Sequence, residues 1–237
     1  MTRLNPHRLV FILPGLMLVV GGIGYWWFRL DSPTRDTLDA WVIDPSSRPE
    51  LKTTLTKPCP GAPFLLPSSG FVGFLYADHT PPYNPFGPHP GVDIFGDGAP
   101  GTIPIYAAYD GYLTRLPDWK SSVIIRIPND PLMPSRQIWT YYTHMASKSG
   151  DQSYISIDFP PGSTEKFVKQ GTLLGYQGLY SGAEAPIAMH LHFSVVIDRN
   201  GSFTNETNIA NTLDPSPYFG LNLNARNRPT IPVHCES

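Results

Sequence analysis

The sequence predicts an all-β domain, mainly antiparallel, and three observations carry that expectation. Proline is abundant, at 27 of 237 residues, which favours loops and strand edges over long helices. From about Phe71 onward, short apolar and aromatic runs alternate with clusters of Gly, Pro, Asn and Asp. No stretch sustains the amphipathic period of a long helix, and no repeat of fixed length is present.

The elements follow in order. Residues 1–8 form a basic tail with Arg3 and Arg8, and residues 9–28 carry no charge. A run of about 20 apolar residues is long enough to cross a bilayer as a helix. Tyr25, Trp26 and Trp27 stand at its far end like an interfacial belt, and the basic flank places the N-terminus in the cytoplasm. The competing readings are a cleaved signal peptide, disfavoured by the bulky aromatic end, and a buried core helix, disfavoured by the absence of a polar face. Residues 29–58 read as a polar, proline-containing linker or stalk, with a short helical turn at Thr37–Val42. The remainder, 59–237, is the globular domain, with its core at about 70–220.

Within that domain the candidate strands are Phe71–Tyr76, Ile103–Ala108, Tyr112–Leu116, Ser122–Ile127, Gln137–Met145, Tyr154–Phe159, Thr172–Gln177 and Met189–Ile197. Asp110-Gly111 suggests a hairpin joining the second and third. Ser122–Ile127 and Gln137–Met145 read as a further pair across a proline-rich loop. The chain has two cysteines, Cys59 and Cys235, without the clustering of a cysteine-based zinc site. In an oxidising compartment a bridge between them would tie the two ends of the domain; two unpaired thiols are the other reading. The formal charge of −2 leaves no basic footprint for nucleic acid.

Met189–Ile197 organises the rest. On a strand, alternate side chains share a face, so His190, His192 and Ser194 lie opposite Leu191, Phe193 and Val195. Two imidazoles about 7 Å apart on an otherwise apolar strand suggest a metal or a catalytic pair. Upstream, His89 and Asp93 are separated by Pro90 and Gly91, which argue for a turn leading into a short strand in place of a helix. Gly91 lets the backbone bend so that the two side chains converge. His144, at the end of a β-patterned run, is the third element. Together these residues suffice for a mononuclear zinc site with groups to spare, and a catalytic zinc needs only three protein ligands and a water. Zinc makes hydroxide available near neutral pH. The motif His-Glu-x-x-His is absent, and of five glutamates only Glu184 lies near a motif, so a histidine is the better general base. Asn200-Gly201-Ser202 and Asn205-Glu206-Thr207 match glycosylation acceptors and read as incidental.

The pattern His89…Asp93, then His144, then His190-Leu191-His192 resembles that of the LytM/lysostaphin-type zinc peptidases, the M23 family. The flanks are similar too. Gly91-Val92-Asp93-Ile94 leads into Gly101-Thr102-Ile103-Pro104, with Asp110-Gly111 beyond. Gln170–Tyr176 and Leu213-Asp214-Pro215 follow in the expected places. The resemblance covers roughly residues 70–220. It implies one Zn²⁺ per chain held by His89, Asp93 and His192, with His144 and His190 acting on the water and the oxyanion. It also implies a groove over one sheet face and, as substrate, a peptide bond of peptidoglycan in the stem or cross-bridge. With the N-terminal anchor, the catalytic domain would face the cell wall from the periplasmic or extracellular side of the membrane. Two loops depart from the compact family pattern, Tyr180–Ala188 and Ser147–Lys166, and both are expected to border the groove. The alternative functions are a non-catalytic peptidoglycan-binding or hydrolase-regulating module, and a closed structural zinc site in which His190 is a fourth ligand.

Overall fold

The computed structural model describes residues 33–80, 87–182 and 187–236. Among them the strands are β1 (Lys52–Thr53), β2 (Gly70–Gly73), β3 (Val92–Phe95), β4 (Pro104–Tyr106), β5 (Gly111–Thr114), β6 (Val123–Ile127), β7 (Ile138–Thr143), β8 (Lys166–Val168), β9 (Leu173–Tyr176), β10 (Leu191–Arg199), β11 (Ser202–Phe203) and β12 (Thr212–Leu213). The main sheet runs β1-β2-β3-β10-β7-β6-β5-β8, with β11 and β12 also paired to β10, and β4 and β9 form a separate two-stranded sheet. Every pairing between these strands is antiparallel.

Strand β10 is central because both of its faces are covered. Leu191, Phe193 and Val195 enter the main core with Val92, Ile94, Leu113, Ile125 and Tyr142. On the opposite face Val196 packs with Ile124 and Trp139, and Tyr141 and Phe203 border that cluster. The strand then turns through Asn200 and Gly201, both at positive φ (56° and 81°), so that Arg199 faces Ser202. That is the two-residue hairpin an Asn-Gly pair favours.

The structure departs from the sequence reading in several places. Ile103–Ala108 and Tyr112–Leu116 do not form a hairpin: β4 pairs with β9, and β5 pairs with β6 and β8. The Asp110 carboxylate instead accepts from the Gln170 backbone N–H at 2.7 Å, which ties the corner to another loop while the chain passes between sheets. Tyr154–Phe159 is not a strand, and only Ile155 makes a bridge, to Gly175. The short strand β8 escapes sequence reading because Phe167 lies half exposed on it.

The stretch expected to be a stalk is folded from Pro33 onward. Helix α1 spans Pro33–Ile43, longer than the expected turn at Thr37–Val42. Its Leu38 and Trp41 are buried against Phe71, Phe74 and Phe95, with the Trp41 and Phe71 rings 5.9 Å apart. Strand β1 extends the sheet beside β2. Cys59 and Cys235 are joined across 176 residues, with Cα atoms 5.5 Å apart. Closing so long a loop stabilises by about 5 kcal/mol in the chain-entropy account. The apolar run 9–28 lies outside the described residues; among those described, no helix is long and apolar enough to cross a membrane.

Candidate metal centre and its flanking histidines

Sheet register builds the centre. Gly73, Asp93, His192 and Thr143 lie in one cross-strand row over β2, β3, β10 and β7. Asp93 and His192 are thus direct neighbours, and His192 Nδ1 lies 2.8 Å from Asp93 Oδ1. His89 arrives just ahead of β3. Its backbone is pinned by bonds from His89 N to Asp78 O (2.8 Å) and from Ala77 N to His89 O (2.9 Å). Its Nδ1–H donates to Leu75 O at 3.2 Å, so Nε2 presents a lone pair to the centre, 3.0 Å from His192 Nδ1 and 3.3 Å from Asp93 Oδ1. The role of Gly91 is close approach as well as bending. A Cβ there would collide with the Phe193 carbonyl and Ser194 Oγ of β10.

These three donor atoms form the cluster suited to a metal, and all three residues are buried. Ligand bonds of about 2.0–2.1 Å at tetrahedral angles place donors roughly 3.3 Å apart. The observed separations of 2.8–3.3 Å contract that triangle slightly, as expected where hydrogen bonds hold the donors together. Two imidazole nitrogens and one carboxylate oxygen are a zinc-type donor set with room for a fourth group, so the residues fit the ion.

His144 and His190 flank this triangle. His144 directly follows β7 with φ at 74°, an uncommon conformation for a non-glycine residue, and this turns its ring toward His190. The two ring centroids are 4.5 Å apart. His190 sits one residue ahead of β10, bridged to Gly178, so it is not on the strand proper. The two share one arrangement. His144 Nδ1–H donates to Tyr180 O at 2.6 Å, and His190 Nδ1–H donates to Ala188 O at 2.7 Å. Each Nε2 is left as the free acceptor. His190 Nε2 stands 3.7 Å from Asp93 Oδ2 and is not one of the three clustered donors.

The electrostatics separate the two groups. Burial opposes a charge on His192, but Glu206 and Asp93 outweigh it and hold its pKa up at about 10. Burial also opposes the Asp93 charge, yet His89, His190 and His192 hold that carboxyl well below its usual range. His144 is pushed down to about 3, chiefly by burial and then by His190 and His192. His190 is pushed down as well, again chiefly by burial. A metal ion at the triangle would displace the His192 proton, since only the neutral ring ligates.

Sequence reading missed Glu206. Its Oε2 lies 3.3 Å from His192 Nε2 and 3.3 Å from Ser194 Oγ. It falls 14 residues after His192 inside an apparent glycosylation acceptor, and no local spacing marks it. Glu184 lies outside the described residues. A groove of about 530 Å³ opens beside the centre, lined by Trp119, Lys120, Tyr141, His144, Tyr180 and Glu206 among others. The described start of the 180–188 loop borders it, whereas Ser147–Lys166, expected to do so, supplies none of its lining.

No family profile matches the sequence, and no curated protein matches it. Solved structures do. The catalytic domain of the antimicrobial peptidase lysostaphin from Staphylococcus simulans is 22% identical over 62% of this chain and 90% of its own, with a TM-score of 0.41. A further structure, of the antimicrobial peptidase lysostaphin from Staphylococcus simulans, is 21% identical over 62% of this chain and 48% of its own, with a TM-score of 0.39. A zinc-containing peptidase from Vibrio cholerae is 17% identical over 64% of this chain and 40% of its own, with a TM-score of 0.37. At such scores the family resemblance rests on the motif residues and the way the sheet gathers them.

Proposed function

We propose that this chain is a LytM/lysostaphin-type zinc metallo-endopeptidase that hydrolyses peptide bonds of peptidoglycan, in the stem or the cross-bridge. The observation that carries the reading is the division of labour among five side chains. His89, Asp93 and His192 point one donor atom each at a common point, while His144 and His190 hold free Nε2 atoms beside it. Zinc, when bound by those three, supplies Lewis acidity and activates water near neutral pH.

The chain's own groups do the rest. The carbonyls of Tyr180 and Ala188 fix the Nδ1–H tautomer of His144 and His190. Burial lowers both pKa values, so both rings are neutral at pH 7 and each Nε2 carries a lone pair beside the centre. One Nε2 takes the proton of the attacking water. The N–H so formed then faces the scissile carbonyl oxygen as it gains charge, and later returns the proton to the leaving amine. A positioned acid or base of this kind is worth ~10²–10⁴-fold in rate. The groove beside the centre has aromatic and polar walls, suited to an extended peptide.

The anchor and the location belong to the same proposal. The uncharged run 9–28 after Arg3 and Arg8 would hold the domain at the outer face of the membrane, next to the wall. Residues 33–53 then pack onto the domain, so the tether between membrane and sheet is short. Full-length protein should resist alkaline carbonate extraction, and protease added from outside should digest the domain. A shortened soluble chain would instead mean a cleaved signal peptide.

The deciding experiment is mass analysis of peptidoglycan fragments released by the purified protein, with and without a chelator. New peptide termini that vanish with chelator and return with zinc support the reading. Stoichiometric zinc without any cleavage would favour the non-catalytic wall-binding module.

A further inference from the structure

We infer that Glu206 is a positioning residue for the metal centre, which grips the far nitrogen of His192 so that Nδ1 is the atom offered to the ion. This rests on the zinc-site reading above and adds a residue to it. Both imidazole ligands must be held in one tautomer and one ring orientation, and the partner of the second nitrogen does this. The chain solves the problem in two ways. His89 is held by a backbone carbonyl, Leu75 O, at 3.2 Å. His192 is held by side chains: its Nε2 lies 3.0 Å from Ser194 Oγ and 3.3 Å from Glu206 Oε2, while the Ser194 hydroxyl donates to the same carboxylate oxygen.

Glu206 cannot itself be a ligand in this arrangement. It approaches Nε2, whereas Nδ1 faces Asp93 and His89 on the other side of the ring. Its place is built by the fold. The turn at Asn200-Gly201 reverses the chain, and Phe203 packs its ring 5.8 Å from Tyr141 and 6.1 Å from Trp139. Asn211 Nδ2 then donates to Asn205 O at 2.8 Å, which fastens the next segment. The carboxylate is thereby carried back over β10 to the ring of His192. It also adds negative charge beside the ion, strengthening Nδ1 as a donor and bringing a site with one aspartate closer to neutrality.

The test compares full-length protein with Glu206→Ala, Glu206→Gln and His192→Ala, reading zinc affinity by competition with a chromophoric chelator. Glu206→Ala should bind zinc ~10–100-fold more weakly. Glu206→Gln retains an oxygen that accepts from Nε2–H and should recover most of that loss. In the zinc-loaded protein, the His192 Nε2 proton should exchange slowly with solvent in wild type and in Glu206→Gln, but fast in Glu206→Ala. The His89 Nδ1 proton should stay slow throughout, which a general loosening of the fold would not spare. Wild-type zinc affinity in Glu206→Ala, or equal protection of the His192 proton in every variant, would overturn the inference. Failure of wild type to bind zinc, or full binding by His192→Ala, would instead sink the underlying zinc-site reading.

Discussion

The two sides of the centre use the same side chain for opposite ends. On one side His192 stands between two carboxylates, and its pKa is raised to about 10. On the other, His144 is hydrogen-bonded to a backbone carbonyl and flanked by two imidazoles, and burial with those rings outweighs Asp93 and pushes it down to about 3. The difference lies in what each ring is hydrogen-bonded to. Carboxylates surrounding a buried imidazole prepare it to sit beside positive charge, either a proton or a metal ion. A carbonyl at Nδ1 in an enclosed place keeps the ring neutral with its lone pair exposed. One residue type thus takes two opposite charge states in one site, with the ring centroids of His144 and His192 6.2 Å apart.

The sharpest way to break this contrast is substitution. His144→Ala and His190→Ala should each lower peptidoglycan cleavage by ~10²–10⁴-fold while zinc stays near one per chain by metal analysis. His89→Ala, Asp93→Ala and His192→Ala should lose the metal. Loss of zinc from His190→Ala as complete as that from His192→Ala would make His190 a ligand and the site a closed, structural one.

Two glycines should reproduce the same split with a smaller effect. A Cβ at Gly178 would press on the carbonyl oxygens of His144 and Ala146, in the segment that also bridges to His190. Gly178→Ala should therefore reduce turnover ~10-fold or more with zinc retained, the order expected when a catalytic group is misplaced. A Cβ at Gly91 would press on Phe193 O and Ser194 Oγ, behind the ligand strand. Gly91→Ala should chiefly weaken zinc binding. Identical behaviour of the two variants in the two assays would show that the sides are not separable.

The smallest effect is in the pH dependence of stability without metal. His144 and His190 have folded pKa values below the unfolded value of 6.5. Below that pH the unfolded chain takes up protons that the folded chain refuses, so stability falls as pH drops. His192 acts in the other direction: its contribution is complete below 6.5 and is lost as pH rises through about 10. Asp93 and Glu206, both lowered, lose their contributions only as pH falls into the ordinary carboxylate range. Between roughly pH 5 and 6.5 the slope therefore belongs mostly to the lowered histidines. Urea melts of metal-free His144→Ala should show a shallower decline over that interval than wild type. An unchanged slope would remove the electrostatic contrast.

Much of this centre was legible in the chain itself. The residue order His89, Asp93, His144, His190, His192 marks chemistry because these side chains are few and two of the motifs, His89…Asp93 and His190-Leu191-His192, are local. The alternation along β10 separates core from site, since a strand's period of two leaves little choice when both faces are buried. The antiparallel β class was readable for the same reason. What tertiary structure alone decided is where distant segments meet. The pairing of β4 with β9 and the return of helix α1 onto Phe71 depend on non-local contacts that leave no periodic trace, whereas the Cys59–Cys235 bridge was one of the two readings the sequence offered and the structure selects it. Glu206 belongs with them. Its neighbours in sequence are polar loop residues, and it reaches His192 only because a hairpin and an aromatic cluster fold it back. A carboxylate's role is set by what lies within about 3 Å of it in space, and hydrogen bonds are too short-ranged for sequence distance to reveal that.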